Sequence, residues 1–326
     1  MAANELEIKR WLVGLHALEE QALVQLRVAR SIVDEPALAW DLASHLAETE
    51  RHRATVSRLL SGVGGSRSWV QDLGATTNRL GFLVYTSVGP DSAGKLLVDS
   101  IAYEQLEIAA YRMLGHAASA AGQDELARHA LAIRTDEQAM AARLATWFDW
   151  AVAESTRRRR GGARAELVRH LRYVHALATQ GEVLFALAGR SLPGATLRAY
   201  AFKQRQAMRD QRARLRARLE ELSGCPSWTR SLAMGTAGAA WSLAWTVQPD
   251  AGAKLTCFLF AERHLQVSAL ELLAREARGA GDEPTQLLAE ALLREAHSAA
   301  SGLEALLLSA NHADHALHPD LGTFRN

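Results

Sequence analysis

Cysteine is almost missing from this 326-residue chain; Cys225 and Cys257 are the only two. Two thiols without metal-ligand spacing argue against a disulfide framework and point to a reduced, cytoplasmic setting. An excess of one charge is missing too. Lys and Arg number 37 against 36 Asp and Glu, a net charge of +1, so composition gives no argument for nucleic acid. Long apolar runs are scarce. Ser231 to Val247 is uncharged, but it holds Gly235 and Gly238 and falls short of the roughly 20 residues of a membrane span. A buried crossover is expected there, and membrane attachment is not. Glu5, Glu7, Lys9 and Arg10 interrupt the start, so no secretory leader is expected.

What the chain does have is a long internal repeat. His16-Ala17-Leu18 recurs at His175-Ala176-Leu177, Ser68-Trp69 at Ser227-Trp228, and Pro90-Asp91 at Pro249-Asp250. Lys95-Leu96 recurs at Lys254-Leu255 and Gly122 at Gly281, always 159 positions on. A period this long, present twice, implies a duplicated domain rather than a solenoid. The length allows two domains of roughly 150 residues. The expected division is 1–155, a basic linker over 156–163 that includes Arg157 to Arg160, a second domain over 164–315, and a tail over 316–326.

Each copy reads as four long helices. Leu12, Leu15, Leu18, Leu23 and Leu26 show the three- and four-residue spacing of an amphipathic helix. The helices are expected over about 4–31, 36–61, 92–121 and 123–153, then 164–190, 194–222, 251–280 and 284–310. Pro36 suits a first helical turn, and Gly122 suits a stop. Short links join the first and second helices and the third and fourth, whereas the second and third are joined by nearly 30 residues, 62–90. One long crossover between two helical hairpins is the topology of ferritin-like bundles. The expected fold is all-α: two tandem ferritin-like four-helix bundles in a pseudo-two-fold arrangement.

Subtracting one copy from the other isolates the chemistry. Glu19 and Glu20 face Ala178 and Thr179; His45, Glu48 and His52 face Gln204, Ala207 and Gln211. Glu104 and Glu107 face Arg263 and Gln266. On the fourth helix, where a loop shift of about one residue is expected, Asp136-Glu137 faces Ala296-His297. His45, Glu48 and His52 share one helical face, as do Glu104 and Glu107. Only one of Glu19 and Glu20 can face the bundle axis, because neighbours are turned by about 100°. Carboxylate and imidazole groups from four helices suit a pair of divalent ions. The second copy, lacking them, is expected to have an apolar interior filled by Phe185 or Phe258. Tyr103 and Tyr111 flank the third-helix carboxylates, as core aromatics or as donors to the ligands. Glu262, His264, Glu295 and His297 do not share the faces of the first set. His312, His315 and His318 sit in a polar tail expected to fray.

A resemblance appears at these residues. His45-Leu46-Ala47-Glu48-Thr49-Glu50-Arg51-His52, followed by Arg58-Leu59, resembles the "HLxETxxH…RL" stretch of the YciE/YciF-type ferritin-like family. Leu18-Glu19-Glu20-Gln21 is similar to its "AExQ", and Glu104-Gln105-Leu106-Glu107-Ile108-Ala109-Ala110-Tyr111 to its "EHYEIAxY". Asp136-Glu137 resembles its acidic pair on the fourth helix. The likeness spans most of residues 10–150. It implies Glu19, His45, Glu48, Glu104, Glu107 and Glu137 as ligands, and an association with bacterial stress responses.

Three functions compete at this point. The first is a di-iron or di-manganese protein, oxidising Fe(II) or a small molecule with dioxygen or peroxide, with the second copy as an intramolecular partner and further self-association open. The second is a metal-free helical scaffold or interaction module. The third, resting on the apolar crossovers alone, is a surface-associated oxygenase resembling the demethoxyubiquinone hydroxylases.

Overall fold

The computed structural model describes residues 2–64, 92–158, 162–192, 194–226 and 251–308. Among these residues every regular element is helical. In chain order they are α1 (Ala2–Ile32), α2 (Pro36–Gly62), α3 (Ala93–Ala120), α4 (Asp124–Ala145) and α5 (Phe148–Arg158). Then follow α6 (Gly162–Ser191), α7 (Ala195–Glu221), α8 (Ala251–Gly279) and α9 (Glu283–Leu307). Both expected crossovers and the histidine-bearing tail lie outside the described residues. Within them, no helix is long and apolar enough to cross a membrane, and both cysteines are free.

Local sequence explains the helix ends. Glu35 caps α2 by accepting from the Ala37 amide, with Pro36 in the first turn. Ser92 Oγ accepts from the Lys95 amide at the start of α3. Asp282 caps α9 by accepting from the Thr285 amide at 3.0 Å. Between α3 and α4, Gly122 takes φ +70°, and between α8 and α9, Gly281 takes φ +65°, a left-handed conformation that favours glycine. The hydrogen bonds of these turns repeat as well. Gln123 N donates to Ala118 O and Asp282 N to Ala277 O, each at 2.9 Å.

Two expectations need correction. The fourth helix does not run unbroken to 153. It ends at Ala145, and α5 begins at Phe148 after the Trp147 amide turns back to Leu144 O at 3.1 Å. Trp147 and Trp150 meet edge to face at 6.0 Å, and Phe148 is fully buried. The residues counted as linker are helical up to Arg158. The alignment of the fourth helices also shows no shift. Buried Leu126, Ala130, Ile133, Glu137, Ala141 and Leu144 correspond at 159 positions to buried Thr285, Ala289, Leu292, Ala296, Ala300 and Leu303. Glu137 therefore faces Ala296, not His297.

The chain divides into two compact units. The described part of the first is 2–64 with 103–143, and that of the second is 92–102 with 144–308 less its gaps. In the first, α1 and α2 pair as a hairpin. Leu12, Leu15, Leu18, Leu23 and Leu26 are all buried, each worth about 1.5–3 kcal/mol relative to exposure. In the second, α6 packs on α7 and α8 on α9, while α8 also packs on α6. Gly94, at the start of α3, lets that segment approach α8, since a Cβ there would lie 2.6 Å from Leu272.

Candidate metal centre

Four helices of the first unit converge on a buried polar cluster. α1 supplies Glu19, α2 supplies His45 and His52, α3 supplies Glu104 and Glu107, and α4 supplies Glu137; all six are buried. These positions fall on the core-facing side of each helix, as the i, i+3 and i+7 spacings require. Thr49, buried between the two histidines, donates its hydroxyl to His45 O at 3.0 Å. Its side chain thus satisfies itself on the backbone and leaves the cluster to its neighbours.

Glu137 lies at the centre. Its Oε1 is 2.9 Å from His52 Nδ1, and its Oε2 is 3.3 Å from His45 Nε2. His45 Nε2 is also 3.2 Å from Glu104 Oε2. Two groups result, Glu19 with His52 and Glu137, and His45 with Glu104 and Glu137. In each, one donor atom per residue lies within 4.8 Å of the others. The outer nitrogens are held from behind, His45 Nδ1 by Glu48 at 3.2 Å and His52 Nε2 by Asp136 at 3.1 Å. A partner on the far nitrogen fixes the ring's orientation and makes the near nitrogen a better donor to a cation. The Tyr111 hydroxyl donates to Glu19 Oε1, and the Tyr103 hydroxyl donates to Leu18 O at 2.7 Å.

The electrostatics are those of too many acids in too little water. Burial, then Glu137, pushes the Glu19 carboxyl up to about 8, against the opposing pull of His52 and Tyr111. Burial pushes Glu137 up to about 7, despite the nearby His52. Glu107 is raised well above the carboxylate range by burial and by Glu137, Glu19 and Glu104. Burial alone depresses His45, but Glu104, Glu137 and Glu48 outweigh it and hold the imidazole up to about 10. His52 is likewise raised, with burial overcome by Glu137, Glu19 and Asp136.

A cation fits this donor set. Glu19 Oε2, Glu104 Oε2, Glu107 Oε1 and both oxygens of Glu137 are buried without an aligned hydrogen bond. Buried acceptors lacking donors are costly, and a divalent ion is the partner that carboxylate and imidazole ligands suit.

The residues expected from sequence do not all meet here. Glu20 points away and pairs with Arg53 at 2.7 Å, its side chain 39% exposed. Glu48 stands at the edge, 22% exposed, and reaches the cluster only through His45. Sequence reasoning offered Asp136 only as half of an acidic pair. Its position one residue before Glu137 was the available signal, but its role as the His52 partner requires the fold.

The second unit carries a different interior, and not the apolar one expected. Gln211 Nε2 donates to Gln266 Oε1 at 3.0 Å, and Gln266 Nε2 donates to Glu262 Oε1 at 3.1 Å. Arg263 is buried, reaching Gln204 Oε1 at 3.4 Å and Met208 Sδ at 3.1 Å. Its guanidinium lies 4.8 Å over the Phe185 ring. Among the described residues, Glu262, His264, Glu295 and His297 form no metal-binding group; Glu295 instead pairs with Arg214 at 2.8 Å.

Helices that donate carboxylates and imidazoles to one buried centre define a class, the helical bundles with a candidate metal site. Residues 8–156, a little under half of the chain, match the family described as Domain of unknown function (DUF892), a ferritin-like family. No solved structure matches the chain.

Proposed function

We propose that the first half is a ferritin-like metalloprotein domain holding two divalent ions, iron or manganese, on a carboxylate-rich centre. Glu137 carries this reading. Its two oxygens face two different histidine-containing groups, the disposition a bridging carboxylate needs. Glu19 and His52 complete one group and His45 and Glu104 the other, with Glu107 beside them as a further carboxylate. Ions bound there supply one-electron redox chemistry towards dioxygen or peroxide.

The chain's own residues do the rest. Tyr111 holds Glu19 in place, and Tyr103 ties down the preceding carbonyl of α1. Glu48 and Asp136 aim the two imidazoles. Glu48, at the edge of the cluster and partly exposed, is also the carboxylate from which an entering cation would reach His45. The substrate class is Fe(II) itself or a small reductant. With Fe(II) and hydrogen peroxide, two ferrous ions each give up one electron, and the peroxide takes both with two protons to become two waters. Removing these two reagents together accords with a role in stress protection. The constant offset of 159 supports a tandem duplication as the origin of the halves, 1–155 and 164–315, with the second retained as a structural partner.

The test is anaerobic ferrous loading of metal-free protein, followed by addition of peroxide. Roughly two ions bound per chain, with ferrous iron consumed in two-to-one ratio to peroxide, is the expected result. No uptake sinks the proposal and leaves the metal-free scaffold.

A further inference from the structure

Near-neutral composition hides a strong local bias. α7 carries eight arginines and lysines against Asp210, Glu220 and Glu221. Its counterpart α2 is balanced, with Arg51, Arg53 and Arg58 against Asp41, Glu48 and Glu50. The cations of α7 are not scattered. At about 100° per residue, Arg198, Arg205, Arg209, Arg212 and Arg216 fall within a strip about 60° wide and about 27 Å long. Their counterparts in α2 are Ala39, Leu46, Glu50, Arg53 and Ser57, so the shared scaffold does not require the strip.

Few acids offset it. Glu182 on α6 is shared by Arg209 at 2.6 Å and Arg212 at 2.9 Å, and Glu220 pairs with Arg216 at 2.8 Å. Among the described residues, Arg198 donates to the carbonyl of Leu192, and Arg205, part-buried, finds no hydrogen-bond partner for its Nε. The side chains of Arg209, Arg212 and Arg216 are 43%, 40% and 66% exposed. Phe202 lies beside the strip and is 63% exposed, an aromatic face open to water. Buried His175 registers the same field: burial first, then Arg212 and Arg216, lowers its imidazole.

We propose that this strip of α7 is a docking surface for the phosphate backbone of nucleic acid, read without regard to sequence. A straight line of cations suits a linear polyanion that carries one charge per about 1.7 Å of duplex axis. Five arginines and no lysine in the strip match the preference of phosphate for the guanidinium fork. A lipid surface is a plane and meets the whole exposed arc of the helix. Here the rest of that arc mixes Lys203 and Arg214 with Asp210 and Glu221, so the net positive field is confined to the strip.

The experiment uses the full chain and a mixed-sequence 30-base-pair DNA duplex labelled with a fluorophore. Binding is followed by anisotropy across a salt series. The expected result is salt-sensitive binding that the quadruple variant Arg198→Gln, Arg205→Gln, Arg209→Gln, Arg216→Gln weakens at least about tenfold. The slope of log affinity against log salt should flatten by about three to four. Unchanged helical circular dichroism and unchanged iron uptake by the quadruple variant separate lost docking from lost fold. Four outcomes overturn the assignment: no binding at low salt; equal binding by the folded variant; loss confined to variants of Arg157 to Arg160; or tighter binding to vesicles of anionic phospholipid than to the duplex.

Discussion

The two interiors solve the same packing problem with opposite chemistry. In the first unit, Glu19, Glu104, Glu107 and Glu137 press against two imidazoles, which are too few to serve them all, and Glu19 Oε2 and Glu107 Oε1 stay buried without a hydrogen-bond partner. In the second, the counterparts of His45, His52 and Glu107 are Gln204, Gln211 and Gln266, with Gln211 and Gln266 bonded to each other. The counterpart of Glu104 is Arg263, a cation that belongs to the chain itself. One helical frame thus holds a cluster that gains from an external cation and a cluster that carries its own. The second network meets its one buried acid with its own guanidinium, although Arg263 Nε itself finds no acceptor, whereas the orphaned oxygens of the first are acceptors that a cation suits.

Glu137→Ala breaks this comparison most severely. It removes the only residue common to both groups, so bound metal should drop from roughly two ions per chain to near none, as read by metal analysis. Arg263→Ala strikes the second interior. It strands Glu262, which the guanidinium partly restrains against the burial that pushes it up to about 7, and it opens a void. The expected loss is about 3–5 kcal/mol in denaturant unfolding, with metal content unchanged. Arg263→Met, which keeps much of the volume and removes the charge, should cost distinctly less. Loss of metal in either Arg263 variant would end the separation of roles.

Acidity sharpens the contrast, because two histidines of the second unit respond with a sign opposite to that of the first unit's cluster, offset in part by Glu262, which shares the cluster's sign. In the metal-free first unit, Glu19 and Glu137 are raised above their unfolded values and His45 is raised as well. The stability these groups contribute is present at low pH and lost as pH rises through their folded values, about 7 to 10. Metal should reverse that loss, so the gain in Tm on loading should grow from pH 6 to pH 9 and uptake should release protons. In the second unit, burial lowers His175 and His264 to about 4. Their contribution is present above about 6.5 and fades as pH falls towards 4, by up to about 1.4 kcal/mol per unit for each. Acid unfolding of the loaded and metal-free chains should share this limb. The smallest effect belongs to Glu20→Gln, which removes an exposed pair with Arg53. A stability change of about 0.5 kcal/mol or less and unaltered metal content are expected.

Much of this was legible before the structure, for definite reasons. Helix ends were marked by Pro36, Gly122 and Gly281, and the periodic leucines of α1 named its buried face. His45, His52, Glu104 and Glu107 stood out because their counterparts are not metal ligands, and the likeness to the family singled out Glu137 and chose Glu19 over Glu20. The break between α4 and α5 was hidden, since Thr146-Trp147-Phe148 contains neither glycine nor proline to mark it. The polar interior of the second unit was hidden for another reason. Ala178 and Ala207 advertise an apolar core, and substitution alone does not reveal that Gln204 and Gln211 turn inward to meet Arg263 and Gln266 respectively. The register of the fourth helix pair was hidden because sequence alone does not show which positions of α4 and α9 are buried, and those positions match at 159 without a shift.

The most direct test is an anomalous-scattering map from crystals of the full chain grown with Mn(II). Two peaks flanking Glu137, one towards His52 and Glu19 and the other towards His45 and Glu104, with none among Gln204, Gln211, Arg263 and Gln266, is the predicted result. Peaks in the second interior, or none at Glu137 with the manganese bound elsewhere, would contradict the account.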